Sequence, residues 1–256
     1  MKRILNAIKN EAGTHGTLTI YGTIVSESWF DSDVTPKDVK AELDRLSGVE
    51  TIDVYINSPG GDVWSGMAIY EMLKRADATI VTHIDGMAAS AAATIFQAGE
   101  TRHIPKNAFM FIHNPWGCVC GYASDMRKMA DDLDKYSQGI NETFDKFTGT
   151  DKELIALMDA ETLLVGAEAV ELGLADVVDV EVKMAASLNK NILNINGVEL
   201  NMEKHKSVSL NKLAVNFLNS KNKQEGPPPK PEAPDYGKQE MQMNETQMKI
   251  NKIHIS

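Results

Sequence analysis

The chain has 256 residues, a formal net charge of −10 and 43% hydrophobic residues. That length suffices for one domain of ordinary size plus an extension. The acidic balance argues against general nucleic-acid binding, which needs a basic surface for phosphate, and no apolar run approaches the roughly 18 residues that span a bilayer.

The opening residues, Met1-Lys2-Arg3-Ile4-Leu5, carry a basic start but no uninterrupted apolar stretch, so no signal peptide is read. Only two cysteines occur, Cys118 and Cys120. One intervening residue makes a bridge between them sterically awkward, and reduced thiols in a cytoplasmic, membrane-free protein are expected.

Residues 18–25 (L-T-I-Y-G-T-I-V) read as a first strand broken by Gly22, after an N-terminal segment over residues 1–16. Residues 33–46 read as a helix with Thr35 as N-cap, Pro36 at the first helical position and Val39, Leu43 and Leu46 on one face. A β-branched strand over 51–57 stops at Ser58-Pro59-Gly60-Gly61-Asp62, and Val63, Met67, Tyr70 and Leu73 then recur at helical spacing. Strand, glycine turn and helix repeat over 78–99, which implies parallel strands joined by crossover helices.

Residues 102–113 predict two extended pieces around Pro105-Lys106-Asn107, the second delivering His113 at its edge. A long amphipathic helix follows over 124–147, with Met126, Met129, Leu133, Tyr136 and Ile140 on one side. Short helices over 151–158 and 167–172 and a strand over 175–180 complete the pattern, Gly173 closing the last helix. From residue 183 onward the composition turns to Asn and Lys. Five of the nine prolines then fall within residues 227–234, an extended linker, and the extension over 183–256 is expected to be largely disordered on its own.

The stretch D-G-M-A-A-S-A-A-A-T-I-F-Q-A-G (85–99) places Ser90 near a strand-to-helix junction. Helix N–H groups converge there and favour developing negative charge. Small neighbours, Ala88, Ala89, Ala91 and Ala92, leave room for a substrate backbone. Gly60-Gly61 after a strand can bring a bare N–H close to a carbonyl, and the Ala91 N–H supplies a second donor. A serine near a helix cap is by itself the commoner situation; the surrounding residues give this one its interest.

Of six histidines, His15, His205 and His254 lie in polar stretches expected to be exposed, and His83 and His103 lie inside strand-like runs. His113 ends a strand and precedes the loop-forming Asn114-Pro115-Trp116-Gly117, so it faces whatever cleft the loops build. No H-E-x-x-H spacing links the histidines and Cys118-Val119-Cys120 lacks a second pair, so neither a metal site nor a cofactor is expected.

Four blocks, I-N-S-P-G-G-D (56–62), G-M-A-A-S-A-A-A (86–93), P-K-N-A-F-M-F-I-H-N-P-W-G (105–117) and E-A-V-E-L-G-L-A-D (168–176), resemble in order the ClpP-type serine peptidase family over residues 17–182. The resemblance implies an α/β fold of the ClpP/crotonase type, with a repeated ββα core and a protruding handle helix at 124–147. It also implies homo-oligomers, two heptameric rings stacked as a tetradecamer around a chamber. Ser90 is then the nucleophile, His113 the general base, and Gly61 with Ala91 the oxyanion hole. The acid of the triad falls at Glu161, where the housekeeping enzymes carry aspartate, with Asp159 as the alternative. Cys118 and Cys120 are read as packing residues in a substrate-binding segment.

The long extension and the glutamate at 161 are similar to the ClpP-like proteases of tailed phages and prophages, which cleave capsid or scaffold proteins during head maturation. Competing readings are the proteolytic subunit of an ATP-dependent complex, a crotonase-like acyl-CoA enzyme, and a non-catalytic assembly protein. No G-x-x-x-x-G-K-[ST] loop occurs, so any ATPase unfoldase is a separate chain.

Overall fold

The computed structural model describes residues 4–180 throughout and the backbone of residues 186–189, 192–195 and 198–201. In chain order the described elements begin with β1 (Ile4–Lys9), β2 (His15–Tyr21), β3 (Thr23–Ile24), β4 (Asp33–Val34), α1 (Pro36–Arg45), β5 (Thr51–Ser58) and α2 (Val63–Lys74). There follow β6 (Thr79–Ala89), α3 (Ala91–Phe96), β7 (Thr101–Pro105), β8 (Phe109–Ile112), α4 (Ala123–Asn141), α5 (Asp151–Asp159), β9 (Thr162–Val165), α6 (Gly166–Glu171) and β10 (Val177–Asp179). This is the mixed α/β architecture expected of the ClpP type, a central sheet with helices packed on it.

The main sheet runs β1-β2-β5-β6-β7-β10, with β8 paired to β6 and β9 paired to β8. Pairings β2–β5, β5–β6, β6–β7, β6–β8 and β7–β10 are parallel; β1–β2 and β8–β9 are antiparallel. Alternation decides which face is dry. Leu18 and Ile20 on β2 and Val54 and Ile56 on β5 are fully buried, each contributing about 1.5–3 kcal/mol. They join Val39 of α1, Ile69 and Leu73 of α2, and Ile95 and Phe96 of α3 in one core. The intervening residues, Thr17, Thr19, Asp53 and Tyr55, lie on the opposite, half-buried face.

Several boundaries differ from the sequence pattern, each for a local reason. The helix predicted over 33–46 begins only at Pro36: Thr35 is extended and its hydroxyl accepts from the Asp38 N–H, while Asp33 and Val34 pair with β3. Residues 85–89 are strand, not turn, so α3 has only six residues rather than reaching Gly99. The long helix ends at Asn141. Residues 4–9, assigned to a separate N-terminal segment, form an edge strand of the main sheet.

Beyond residue 183, where a largely disordered extension is expected, three short strands are described. There β11 (Ala186–Asn189), β12 (Ile192–Ile195) and β13 (Val198–Asn201) form an antiparallel meander. The proline-rich stretch, His205 and His254 lie outside the described residues.

Arg102 ties the far side of the core together, although only 1% of its surface is exposed. Its Nε and Nη2 donate to the two Asp176 carboxylate oxygens at 2.9 and 2.8 Å, Nη2 also donates to Gly173 O at 2.9 Å, and Nη1 donates to Gln97 Oε1. Burial pushes the Asp176 carboxyl up, but Arg102's hydrogen bonds and charge outweigh that and hold it below the ordinary carboxylate range. Arg102→Met should therefore lower unfolding stability by about 3 kcal/mol, the low end for breaking a buried pair, because Asp176 keeps some solvent and a Lys146 neighbour. Since the folded carboxyl is depressed, this stabilisation holds above the unfolded-state value and fades as pH falls through the folded one. Urea titrations across that acid window check both the size and the sign.

Candidate active site

β6 is long enough to serve two neighbours. Its first half pairs with β7 (Val81 to His83) and its second half with β8 (Met87 to Ala89). Between them the register against β5 slips: Ile56 faces Ile84, yet Ser58 faces Ala88, so β6 spends two extra residues there. Asn57, fully buried, accepts the Met87 N–H on its Oδ1 at 3.2 Å and supports the bulge. The consequence is that β5, β6 and β8 all end at one place, and their loops meet there.

Ser90 sits at the tip of β6 with φ 56° and ψ −126°, capping α3. Its N–H donates to Phe111 O at 2.8 Å, which fastens the turn to β8. A non-glycine residue at positive φ costs about 1–3 kcal/mol and persists only where its surroundings enforce it. Among the described residues only Ser90 and Glu161 (φ 49°) are so placed. Both are sequence-predicted site residues.

His113 follows β8 directly and is largely buried, its ring tilted against Phe111. Its Nδ1 lies 2.7 Å from Asn114 O. A carbonyl oxygen only accepts, so Nδ1 must carry the proton and Nε2 is left as the basic nitrogen. Ser90 and His113 line the same pocket, together with Ala91, Ile112, Pro115 and Met158.

The carboxylates separate. β8 and β9 pair antiparallel with Phe111 facing Leu163 and Ile112 facing Thr162. His113 directly follows β8 and Glu161 directly precedes β9, so the antiparallel pairing brings the two to the same end of the sheet, and the Glu161 Oε2 is out of solvent. Asp159 instead is exposed and accepts the Asn114 Nδ2–H on its Oδ1 at 2.6 Å. It buttresses the residue after the histidine.

The glycine turn abuts the serine. A Cβ on Gly60 (φ +82°) would come within 2.3 Å of Ala89 O and 2.7 Å of the Ser90 Cβ, and one on Gly61 (φ +146°) within 2.0 Å of Ile24 O. Ile24 bridges to Gly61 in parallel fashion, its N–H donating to Gly60 O and its carbonyl accepting from Asp62 N–H. In that pattern the Gly61 N–H points away from Ile24. The Ala91 N–H is at the first helical position, where no intrahelical acceptor exists. The Ala91 N–H thus directly follows the serine, and Gly61 is the residue after the glycine that packs on Ser90 Cβ.

Three residues at this site were not singled out by sequence: Asn57, Asn114 and Ser58, whose hydroxyl donates to Gly22 O at 2.6 Å and accepts from the Gly60 N–H at 3.1 Å. Their signal was a polar pair closing an otherwise apolar strand and an amide directly after the histidine. Two other expectations need correction. Cys118 and Cys120 are exposed rather than packed, and His15 is half-buried within β2, its Nε2 2.5 Å from Asp53 Oδ2, rather than exposed. No described helix is long and apolar enough to cross a membrane.

The model of the Clp protease family matches residues 32–181, a span that contains Ser90, His113, Glu161 and both glycines. The match covers more than half of the chain, and the fold agrees with it. The chain belongs to the Clp protease family, ClpP-like serine peptidases that in general act on proteins as oligomeric rings.

Proposed function

We propose that the protein is a serine endopeptidase in which Ser90 attacks the peptide carbonyl, His113 Nε2 takes the serine proton, and Glu161 stabilises the imidazolium. Gly61 and Ala91 N–H groups receive the oxyanion. The observation that carries this reading is that Ser90 and His113 line one pocket at the strand ends, and that the two strained non-glycine residues of the described chain are Ser90 and Glu161, the predicted nucleophile and acid. Strain of that kind concentrates where side chains must be held for chemistry. His113 returns its proton to the leaving amine, and water repeats the cycle on the acyl-enzyme.

We further infer a homo-oligomer of stacked heptameric rings enclosing the sites, working in a cytoplasm on capsid or scaffold proteins during phage head maturation. Supporting the oligomer is α4, a 19-residue helix with only Ile140 buried and Met126 52% exposed, whose apolar side assembly would cover. Supporting the head-maturation role are the extension over 183–256 and the glutamate in place of aspartate. The domain assignment, a peptidase over 17–182 and an appended tail, belongs to the same proposal.

The test is incubation with a fluorophosphonate probe followed by intact-mass and peptide analysis. One adduct per chain, on Ser90 and absent from His113→Ala, is the expected result. An assembled protein that takes no label at Ser90 overturns the peptidase assignment. A labelled, active protease that neither cleaves nor associates with co-expressed capsid and scaffold proteins overturns only the head-maturation role.

A further inference from the structure

The face of the main sheet opposite the helices carries a row of polar rings. His83 on β6 is paired in register with His103 on β7, and Val177 of β10 is paired with His103, so Asp179, two residues on, lies on the same face. One ligand atom from each of His83, His103 and Asp179 lies within 4.8 Å of the others. None of the three is close in sequence, which is why no ligand spacing announced them. All are half-buried, not solvated at a surface tip.

We propose that His83, His103 and Asp179 form a site for a divalent transition-metal ion, zinc by its donor set. Two imidazoles and one carboxylate are borderline donors suited to Zn2+, with water completing the shell. Ligands at ordinary Zn–N and Zn–O lengths sit about 3.3 Å apart in a tetrahedral shell. His103 Nδ1 and Asp179 Oδ1 already stand 3.1 Å apart. His83 closes the remaining gap by turning its ring out of the present stack on His103, whose centroid is 4.8 Å away.

A supporting shell is in place for that turn. Asp53 Oδ1 lies 2.9 Å from His83 Nε2, and its Oδ2 lies 2.5 Å from His15 Nε2. With the Nε2 proton given to Asp53, His83 presents Nδ1 as the lone pair, the carboxylate–histidine–metal arrangement that fixes a ligand's tautomer. Tyr55 stacks on the other side of His83 at 4.6 Å and limits its travel. A bound ion would staple β6, β7 and β10. It would sit about 20 Å along β6 from Ser90, given the rise of about 3.3 Å per strand residue, so the site is separate from the peptidase centre and stands whether or not that assignment holds.

The experiment uses the metal-free full chain carrying Cys118→Ser and Cys120→Ser, which removes the exposed thiols as competing ligands. Zn2+ alone is titrated against a chromophoric chelator, with circular dichroism and oligomer size checking each variant's fold. One zinc per chain is expected, with a raised thermal midpoint. His103→Gln and Asp179→Asn should each weaken binding at least tenfold, and Asp53→Asn about 10–100-fold as an outer-shell partner. Co2+ should give ligand-field bands without thiolate charge transfer. No saturable zinc uptake by the folded chain, or unchanged uptake in a folded His83→Gln/His103→Gln double variant, overturns the proposal.

Discussion

Ser90→Ala should lower peptide hydrolysis by about six orders of magnitude in kcat, the scale seen when a serine nucleophile is removed from an intact triad. The loss is large because the remaining parts cannot substitute for the missing oxygen. His113 would have no hydroxyl proton to take, and the donors at Gly61 and Ala91 would act only on direct attack by water. Substrate binding should change little, since alanine removes one atom from a turn bordered by Ala89 and Ala91, so KM stays near its starting value. Stability should move the other way or not at all. Alanine keeps the backbone N–H bond to Phe111 O but inherits the φ of 56°, so the strain at the turn persists with no reaction to justify it. A steady-state assay on a flexible peptide, with urea unfolding of both proteins, tests the pair of statements. A fall in kcat of less than a hundredfold would remove Ser90 from the nucleophile's role.

Much of this site was legible because it is local. Ser58-Pro59-Gly60-Gly61 after an apolar strand and Ser90 among alanines announce a tight turn and a small-residue junction by residue type alone, and Thr35-Pro36 announces a helix start. What was not legible depended on pairing between distant segments. Residues 85–89 read as a glycine turn because nothing local shows that Met87 to Ala89 have β8 as a partner, or that Asn57 from another strand holds the Met87 N–H. β9 escaped notice because four residues, Thr162–Val165, carry no periodicity of their own. Arg102 reads as an ordinary strand cation, yet its partners lie 71 to 74 residues away at Gly173 and Asp176. Alternation told inside from outside on β2 and β5, but not that the outward row would gather His15, Asp53, His83, His103 and Asp179 from five strands. Register assembled that row, and register is a property of the sheet rather than of any one segment.

The same argument separates the two carboxylates near His113. Glu161→Gln should lower kcat by about a hundredfold, while Asp159→Asn should leave kcat within a fewfold of the parent. In a triad whose acid alone orients the histidine, an amide in its place costs about 10⁴ because the ring adopts the wrong tautomer. Here Asn114 O already takes the Nδ1–H, so the tautomer survives the substitution and only the stabilisation of the imidazolium charge is lost. A hundredfold corresponds to about 2.7 kcal/mol of transition-state energy, reasonable for one carboxylate with an oxygen shielded from water. Asp159 acts one residue removed, through the Asn114 side chain at an exposed position, where an amide can still accept the same hydrogen bond. The pH profile provides a second readout. Without the Glu161 charge, the imidazolium form of His113 is less favoured, so the acid limb of kcat/KM should shift to lower pH in Glu161→Gln and stay in place in Asp159→Asn. The reverse pattern, with Asp159→Asn slow and shifted, would move the acid of the triad two residues upstream and leave the φ of 49° at Glu161 as a device of the turn into β9.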